Sequence, residues 1–298
     1  MMPESPPVAG ISVAQALAAA RALGVEALDA QLLLLEVLGR SPTERAWLHA
    51  HDTDTVPAAL AQAYLKHCRR RAHGEPLAYL VGSKEFFGLS LRVDTRVLVP
   101  RPDTETLVEW ALDLLPTDGP ARVLDLGTGS GAIALALQHS RPALQVQAVD
   151  ASHDALAVAQ ANAQRLGLRV DFRHGHWLDA VEGRFDLIAS NPPYIAEADP
   201  HLEALRHEPL EALTAGADGL DDIRQIIDRS RDHLAEGGWL LLEHGYDQAG
   251  AVRQLMTAAG FDRVQSRNDL AQIERCCAGQ WRGRKTIALK ASDNANQT

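Results

Sequence analysis

Between residues 122 and 245 short apolar runs alternate with helix-patterned segments, and few folds accept that order. The runs are RVLDLG, QVQAVD, VDFRHG, FDLIASN and WLLLEHG, with helices expected near 132–139, through HDALAVAQANAQRLG and near 221–234. Near-continuous apolar runs separated by helices belong to parallel strands buried on both faces. The expected fold class is therefore α/β, a mostly parallel sheet covered by helices on both sides. KTIALK (285–290) reads as a last strand and ASDNANQT (291–298) as a disordered tail.

Upstream the period changes. SVAQALAAARAL has apolar residues at Val13, Leu17 and Ala20 behind a Ser12 cap, and DAQLLLLEVLG runs from an Asp29 cap to a Gly39 stop. SPTE (41–44) fits a capping box with Pro42 in the first helical position, and 57–73 carries Leu60, Tyr64 and Cys68 on one face. From 77 to 100 alternating apolar residues around Gly88 predict a β-hairpin, and PRPDTE (100–105) leads into a helix over 104–115. The expected division is a helical bundle at 1–76, a hairpin linker at 77–100, an α/β domain at 101–290 and a tail at 291–298.

Composition narrows the function classes. No apolar run approaches the roughly 20 residues of a membrane span, and the N-terminus lacks the basic-then-apolar pattern of a secretory signal. Cys68, Cys276 and Cys277 cannot build a disulfide framework or a zinc site, so reduced thiols, no metal and a cytoplasmic location are expected. A net charge of −10 and a pI near 5.6 oppose an extended nucleic-acid footprint. KHCRRR (66–71) is the one basic run, and it reads as a solvated helix end.

DLGTGSGA (125–132) sits where a strand meets its helix, so its glycines let the backbone approach a ligand. Gly127, Gly129 and Ala132 satisfy the relaxed dinucleotide fingerprint, while Gly127, Gly129 and Gly131 resemble the S-adenosylmethionine loop of class I methyltransferases. Both readings want an acid at the end of the next strand, and Asp150 supplies it. Ligands of such sheets bind at the carboxyl ends of the strands, where the loop, Asp150, Trp177 and Asn191 converge. Trp177 is either core or an aromatic face for adenine.

SNPPYI (190–195) holds the decisive pattern. Methylation of an amide or amine nitrogen puts positive charge on a poorly basic atom, which calls for hydrogen-bond acceptors in place of a base. The Asn191 side-chain oxygen and the Pro192 carbonyl each accept one N–H of an NH₂ group, and two successive prolines stiffen both. Tyr194 offers its π face to the cation.

NPPY after a strand, with PRPDTE, LDLGTGSGAIALAL, ADPHL, EPLEAL and LLLEHG, resembles the peptide chain release factor glutamine methyltransferases over residues 20–280. The resemblance implies a Rossmann-like class I methyltransferase domain and transfer of a methyl from S-adenosylmethionine to the glutamine of the Gly-Gly-Gln loop in release factors. It implies that Gly127, Thr128, Gly129, Ser130 and Gly131 hold the methionine part, Asp150 the ribose and Trp177 the adenine. Asn191, Pro192, Pro193 and Tyr194 would hold the glutamine amide, with Asn191 also facing the cofactor, and PRPDTE would close over it. The implied partner is a release factor bound by a monomer through its helical N-terminal unit, with no membrane and no stable nucleic-acid contact. His176 departs from the family pattern, where an acid is usual, and AGQW near 278 replaces a Gly-Arg. The alternative is an adenine N6 methyltransferase of DNA or rRNA, which must flip a base and grip a phosphate backbone.

Overall fold

The computed structural model describes residues 10–179 and 181–283, so the strand expected at 285–290 and the tail expected at 291–298 lie outside the described residues. Two short strands, β1 (Ile11–Ser12) and β2 (Thr55–Val56), pair antiparallel and bracket the first helices, α1 (Val13–Ala22), α2 (Ala27–Val37) and α3 (Arg45–Ala50). Ser12 and Gln15 form a reciprocal capping box at α1, with the Ser12 N–H donating to Gln15 Oε1 at 2.8 Å. Helix α4 (Ala58–Ala72) completes a bundle whose own core holds Leu33, Leu34, Tyr64 and Cys68.

Two expected caps are corrected here. Helix α2 starts earlier, behind Glu26, and Asp29 lies in its first turn with its carboxylate taken by Arg71 Nε at 2.6 Å. SPTE closes a turn: Glu44 Oε2 accepts the Ser41 N–H at 2.8 Å, the Ser41 hydroxyl bonds Thr43, and α3 begins only at Arg45.

The start of the expected hairpin, Leu77–Val81, is a short helix, α5, ended by Gly82 at φ +70°. Then β3 (Ser83–Phe86) and β4 (Leu89–Arg92) pair around Phe87 and Gly88, both at positive φ as a two-residue turn between twisted strands requires. Buried Asn162 ties this hairpin to the rest: its amide exchanges two hydrogen bonds with the Arg92 backbone, at 2.7 and 3.0 Å, and donates to the Ser130 carbonyl at 3.0 Å. Helix α6 (Asp103–Leu114) follows.

The remaining chain runs β5 (Arg122–Leu126), α7 (Ala132–Ser140), β6 (Gln145–Asp150), α8 (His153–Leu166), β7 (Asp171–His174), β8 (Phe185–Ser190), α9 (Asp221–His233), β9 (Leu234–Glu243), α10 (Ala249–Ala258), β10 (Asp262–Asn268) and β11 (Glu274–Gln280). The seven strands order as β10-β11-β9-β8-β5-β6-β7; β5 to β9 all run parallel, and β11 and β10 join antiparallel. Because neighbouring strand residues point to opposite faces, Val123, Leu187 and Leu241 pack under α6 and α7. Leu124, Ile188 and Leu240 pack under α9 and α10. Strand order reverses at β5, between β6 and β8, which opens a crevice beyond the carboxyl ends of these strands.

Candidate active site

The crevice is a cleft of about 360 Å³ lined by Gly127 and Gly129 after β5, Asp150 at the end of β6, Trp177 beyond β7, and Asn191 and Pro193 after β8. The four strand-end features expected to converge do converge. A larger concavity, about 1130 Å³, lies at the opposite ends of the strands beside Arg122 and Gln145, away from all of them. Of these two concavities the smaller is the candidate site, because it is the one where glycine backbone, carboxylate, indole and amide meet.

The loop residues divide by role. Gly129, at φ +55°, has nothing within 4 Å of where a Cβ would stand, so its backbone faces open cleft. A Cβ on Gly127 would come within 3.0 Å of the Trp177 ring, and one on Gly131 within 2.9 Å of Leu135 Cδ1. Gly131 thus serves the packing of α7. Thr128 and Ser130 are buried, and the Thr128 hydroxyl donates to Asp125 Oδ2 at 2.7 Å. Asp125 is wholly buried, its Oδ1 has no partner, and burial pushes its carboxyl up to about 7. Asp150 accepts the Gly129 N–H at 2.8 Å and the Ser152 N–H at 2.9 Å; burial raises its pKa and those two donors hold it back.

Trp177 adopts φ +48° and is 9% exposed. Its indole N–H donates to Asp222 Oδ1 at 3.0 Å at the start of α9, so it is both core and cleft wall. His176 lies edge-on to that ring with centroids 5.6 Å apart and also lines the cleft.

Asn191 stands where the cleft meets a second cavity of about 160 Å³, lined by Leu98, Arg101, Pro192, Tyr194, Leu205 and Leu213. Pro192 and Pro193 are buried, and the preceding Ser190 hydroxyl anchors the strand end to the Leu126 carbonyl at 2.7 Å. The Tyr194 carbonyl accepts from Gln248 Nε2 at 2.9 Å; burial first and the nearby Glu243 second raise the phenol pKa, so the ring stays neutral. PRPDTE behaves differently from expectation. Residues 96–98, just before it, line the glycine-loop cleft, whereas the motif itself braces the Asn191 side. Arg101 pairs with buried Glu208, which also takes the Val99 N–H at 3.0 Å, and Thr104 Oγ1 accepts from Asn191 Nδ2 at 3.3 Å. Thr104, Glu208, Asp222 and Glu243 went unassigned in the sequence reading. The signal for Glu243 was present, an acid closing a buried apolar strand.

Residues 104–216 match the Methyltransferase small domain model, and residues 11–82 match the PrmC N-terminal domain model. A release factor glutamine methyltransferase from Bordetella pertussis is 50% identical over 260 residues, covering 86% of this chain and 95% of its own. The chain belongs to the release factor glutamine methyltransferase family. The Coxiella burnetii member is 47% identical, with 83% of this chain and 89% of that one covered. The Xylella fastidiosa (strain Temecula1) member is likewise 47% identical, over 90% of this chain and 98% of its own. The fold reaches beyond the family. A methyltransferase from Pyrococcus furiosus superposes with a TM-score of 0.52 at 20% identity, covering 66% of this chain and 91% of that one.

Proposed function

We propose that the protein transfers a methyl group from S-adenosylmethionine to the side-chain nitrogen of the glutamine in the Gly-Gly-Gln loop of peptide chain release factors. The observation that carries this reading is the placement of Asn191, whose amide stands between a glycine-walled cleft and a smaller, mostly apolar cavity. The open backbone at Gly129, the carboxylate of Asp150 and the indole wall of Trp177 fit S-adenosylmethionine in the larger space. In this reading Gly127 and Gly129 lie along the methionine part, Asp150 accepts from the ribose hydroxyls, and Trp177 and His176 flank the base. S-adenosylmethionine, when bound, supplies an electrophilic methyl.

The chain's own residues do the rest. The glutamine side chain enters the smaller cavity, with Leu98 and Leu213 against its methylenes. Asn191 Oδ1 and the Pro192 carbonyl accept its two amide protons, holding the nitrogen in line and stabilising the positive charge that develops there. The buried prolines keep both acceptors in place before the substrate arrives, so little reorganisation is needed during reaction. Tyr194, neutral and half-buried, adds its π face and excludes water. The helical N-terminal unit is assigned to release-factor docking. Its support is contact with the active-site side: the His73 carbonyl at the end of α4 accepts from Arg206 and His207, in the segment that follows NPPY. Among the described residues no helix is long and apolar enough to cross a membrane, which is compatible with action on soluble termination factors.

Incubation with methyl-labelled S-adenosylmethionine and purified release factor, followed by fragment mapping by mass spectrometry, tests the reading. Label on the Gly-Gly-Gln glutamine, lost when that residue is changed to Glu or Ala, is the expected result. Label on DNA or RNA, or on another release-factor residue, would overturn it.

A further inference from the structure

Behind Asn191 runs a polar chain contributed by three separate elements. Asn191, at the end of β8, donates from Nδ2 to Thr104 Oγ1 at 3.3 Å. Thr104, in the first turn of α6, is 4% exposed, and the Glu243 carboxylate at the end of β9, 1% exposed, lies close enough for the Thr104 hydroxyl to lower its pKa. Protons order such a chain. An ionised carboxylate only accepts, so the single Thr104 proton goes to Glu243 and leaves an oxygen lone pair facing Asn191. The Asn191 amide must then present N–H to Thr104, and its planar geometry turns Oδ1 the other way. With the amide flipped, two acceptors would face each other without a proton between them.

We infer that Thr104 and Glu243 are positioning residues that fix the orientation of the Asn191 amide, so that Oδ1 and not Nδ2 is offered to the substrate amide. The inference rests on the proposed glutamine-methylating role of Asn191. A wrongly turned amide would set two donors against the substrate NH₂, so orientation decides whether the site is competent.

The charge on Glu243 sets the direction of the chain. Burial dominates its environment and pushes its carboxyl up to about 7; the Thr104 hydroxyl opposes that, Asp103 on α6 adds to it, and Arg275 on β11 and Arg101 before α6 oppose it. The neutral groups facing it are the Tyr194 phenol and the Cys276 thiol, both raised by burial, and Glu243 Oε2 has no partner. A protonated Glu243 can donate to Thr104, which frees the Thr104 proton to turn toward Asn191 and inverts the chain. The orienting effect is therefore gained as pH rises through about 7.

Two arms test this. In the first, the side-chain amide resonances of Asn191 are followed by NMR across neutral pH in the full-length protein, without substrate. They should shift with a midpoint near 7 in the wild type and stay flat in Glu243→Gln; a pH-independent wild-type signal, or the same titration in the variant, overturns the inference. In the second, Thr104→Val should lower kcat roughly tenfold while cofactor Kd and KM for release factor hold, as expected for one lost orienting hydrogen bond. Thr104→Ser should restore the rate, and Glu243→Gln should abolish the rise of kcat with pH. Wild-type kcat and pH profile in Thr104→Val and Glu243→Gln, each checked for cooperative unfolding, would also overturn it. Should the mapped methyl group fall elsewhere than on glutamine, the functional reading fails while the NMR arm still decides the amide orientation.

Discussion

Asp150 carries two loads at once. Its oxygens hold the Gly129 and Ser152 amides, and their remaining lone pairs are what a ribose would use. Asp150→Ala should therefore weaken cofactor binding by about 1.5 to 3 kcal/mol, part of it from the Gly129 amide left unpaired. Calorimetry that finds the wild-type affinity would contradict the assignment. The place of Asp150 in the crevice was legible in the sequence because the residue ends a strand next to the glycine loop. Its backbone duties were not, since they depend on the distance between two strand ends. Trp177 shows the same limit: its place in the crevice followed from the order of strands, but the Asp222 that fixes its indole lies 45 positions away and is met only in the fold. The place of Asn191 in the crevice followed from its position after a strand together with the other strand ends; that Thr104 tethers it did not, because no local pattern links residues 87 apart.

At the scale of elements, the glycine loop separates packing from binding. Gly131→Ala sets a side chain at φ +86° against Leu135 and should destabilise the protein by about 1 to 3 kcal/mol through backbone strain. Gly129→Ala, at φ +55° with open space ahead, should show the smaller shift in denaturation midpoint and the larger loss of cofactor affinity. Equal loss of stability in both, with equal affinity, would mean that the cleft does not pass over Gly129. The central strands announced themselves as apolar runs, yet α10, β10 and β11 escaped the reading. β10, DRVQSRN, is an edge strand with much of its surface in solvent, and β11, ERCCAGQ, buries Cys276, Cys277 and Ala278 in place of branched residues. Neither has the alternation of bulky apolar residues that marks a strand. The helix of Leu77–Val81 was hidden for the opposite reason, its apolar residues merging with those of the hairpin that follows.

Across the whole molecule, two buried carboxyls make stability fall as pH rises, and one of them, Glu243, opposes activity to stability. Folding raises Asp125 from 3.8 and Glu243 from 4.5 to about 7, so the folded state holds their protons more tightly than the unfolded chain. The stability they contribute is complete below the unfolded values and is lost as pH rises through about 7. Carboxylates beside arginines, such as Asp94 and Asp218, are lowered and act in the other direction only in acid. Thermal midpoints should accordingly fall as pH rises toward neutrality, and Asp125→Asn should flatten that fall; an unchanged slope would show that Asp125 does not carry it. A chain starting near Leu77 is expected to bind S-adenosylmethionine yet methylate intact release factor poorly, and full activity there would detach the helical unit from substrate docking. The central claim is that Asn191 acts on the chemical step, as a preorganised acceptor for a glutamine amide. Its most direct test is the single-turnover rate of Asn191→Ala on release factor, measured beside its cofactor affinity. The rate should drop by roughly 10² to 10³ while affinity changes far less; a variant that turns over at the wild-type rate would contradict the account.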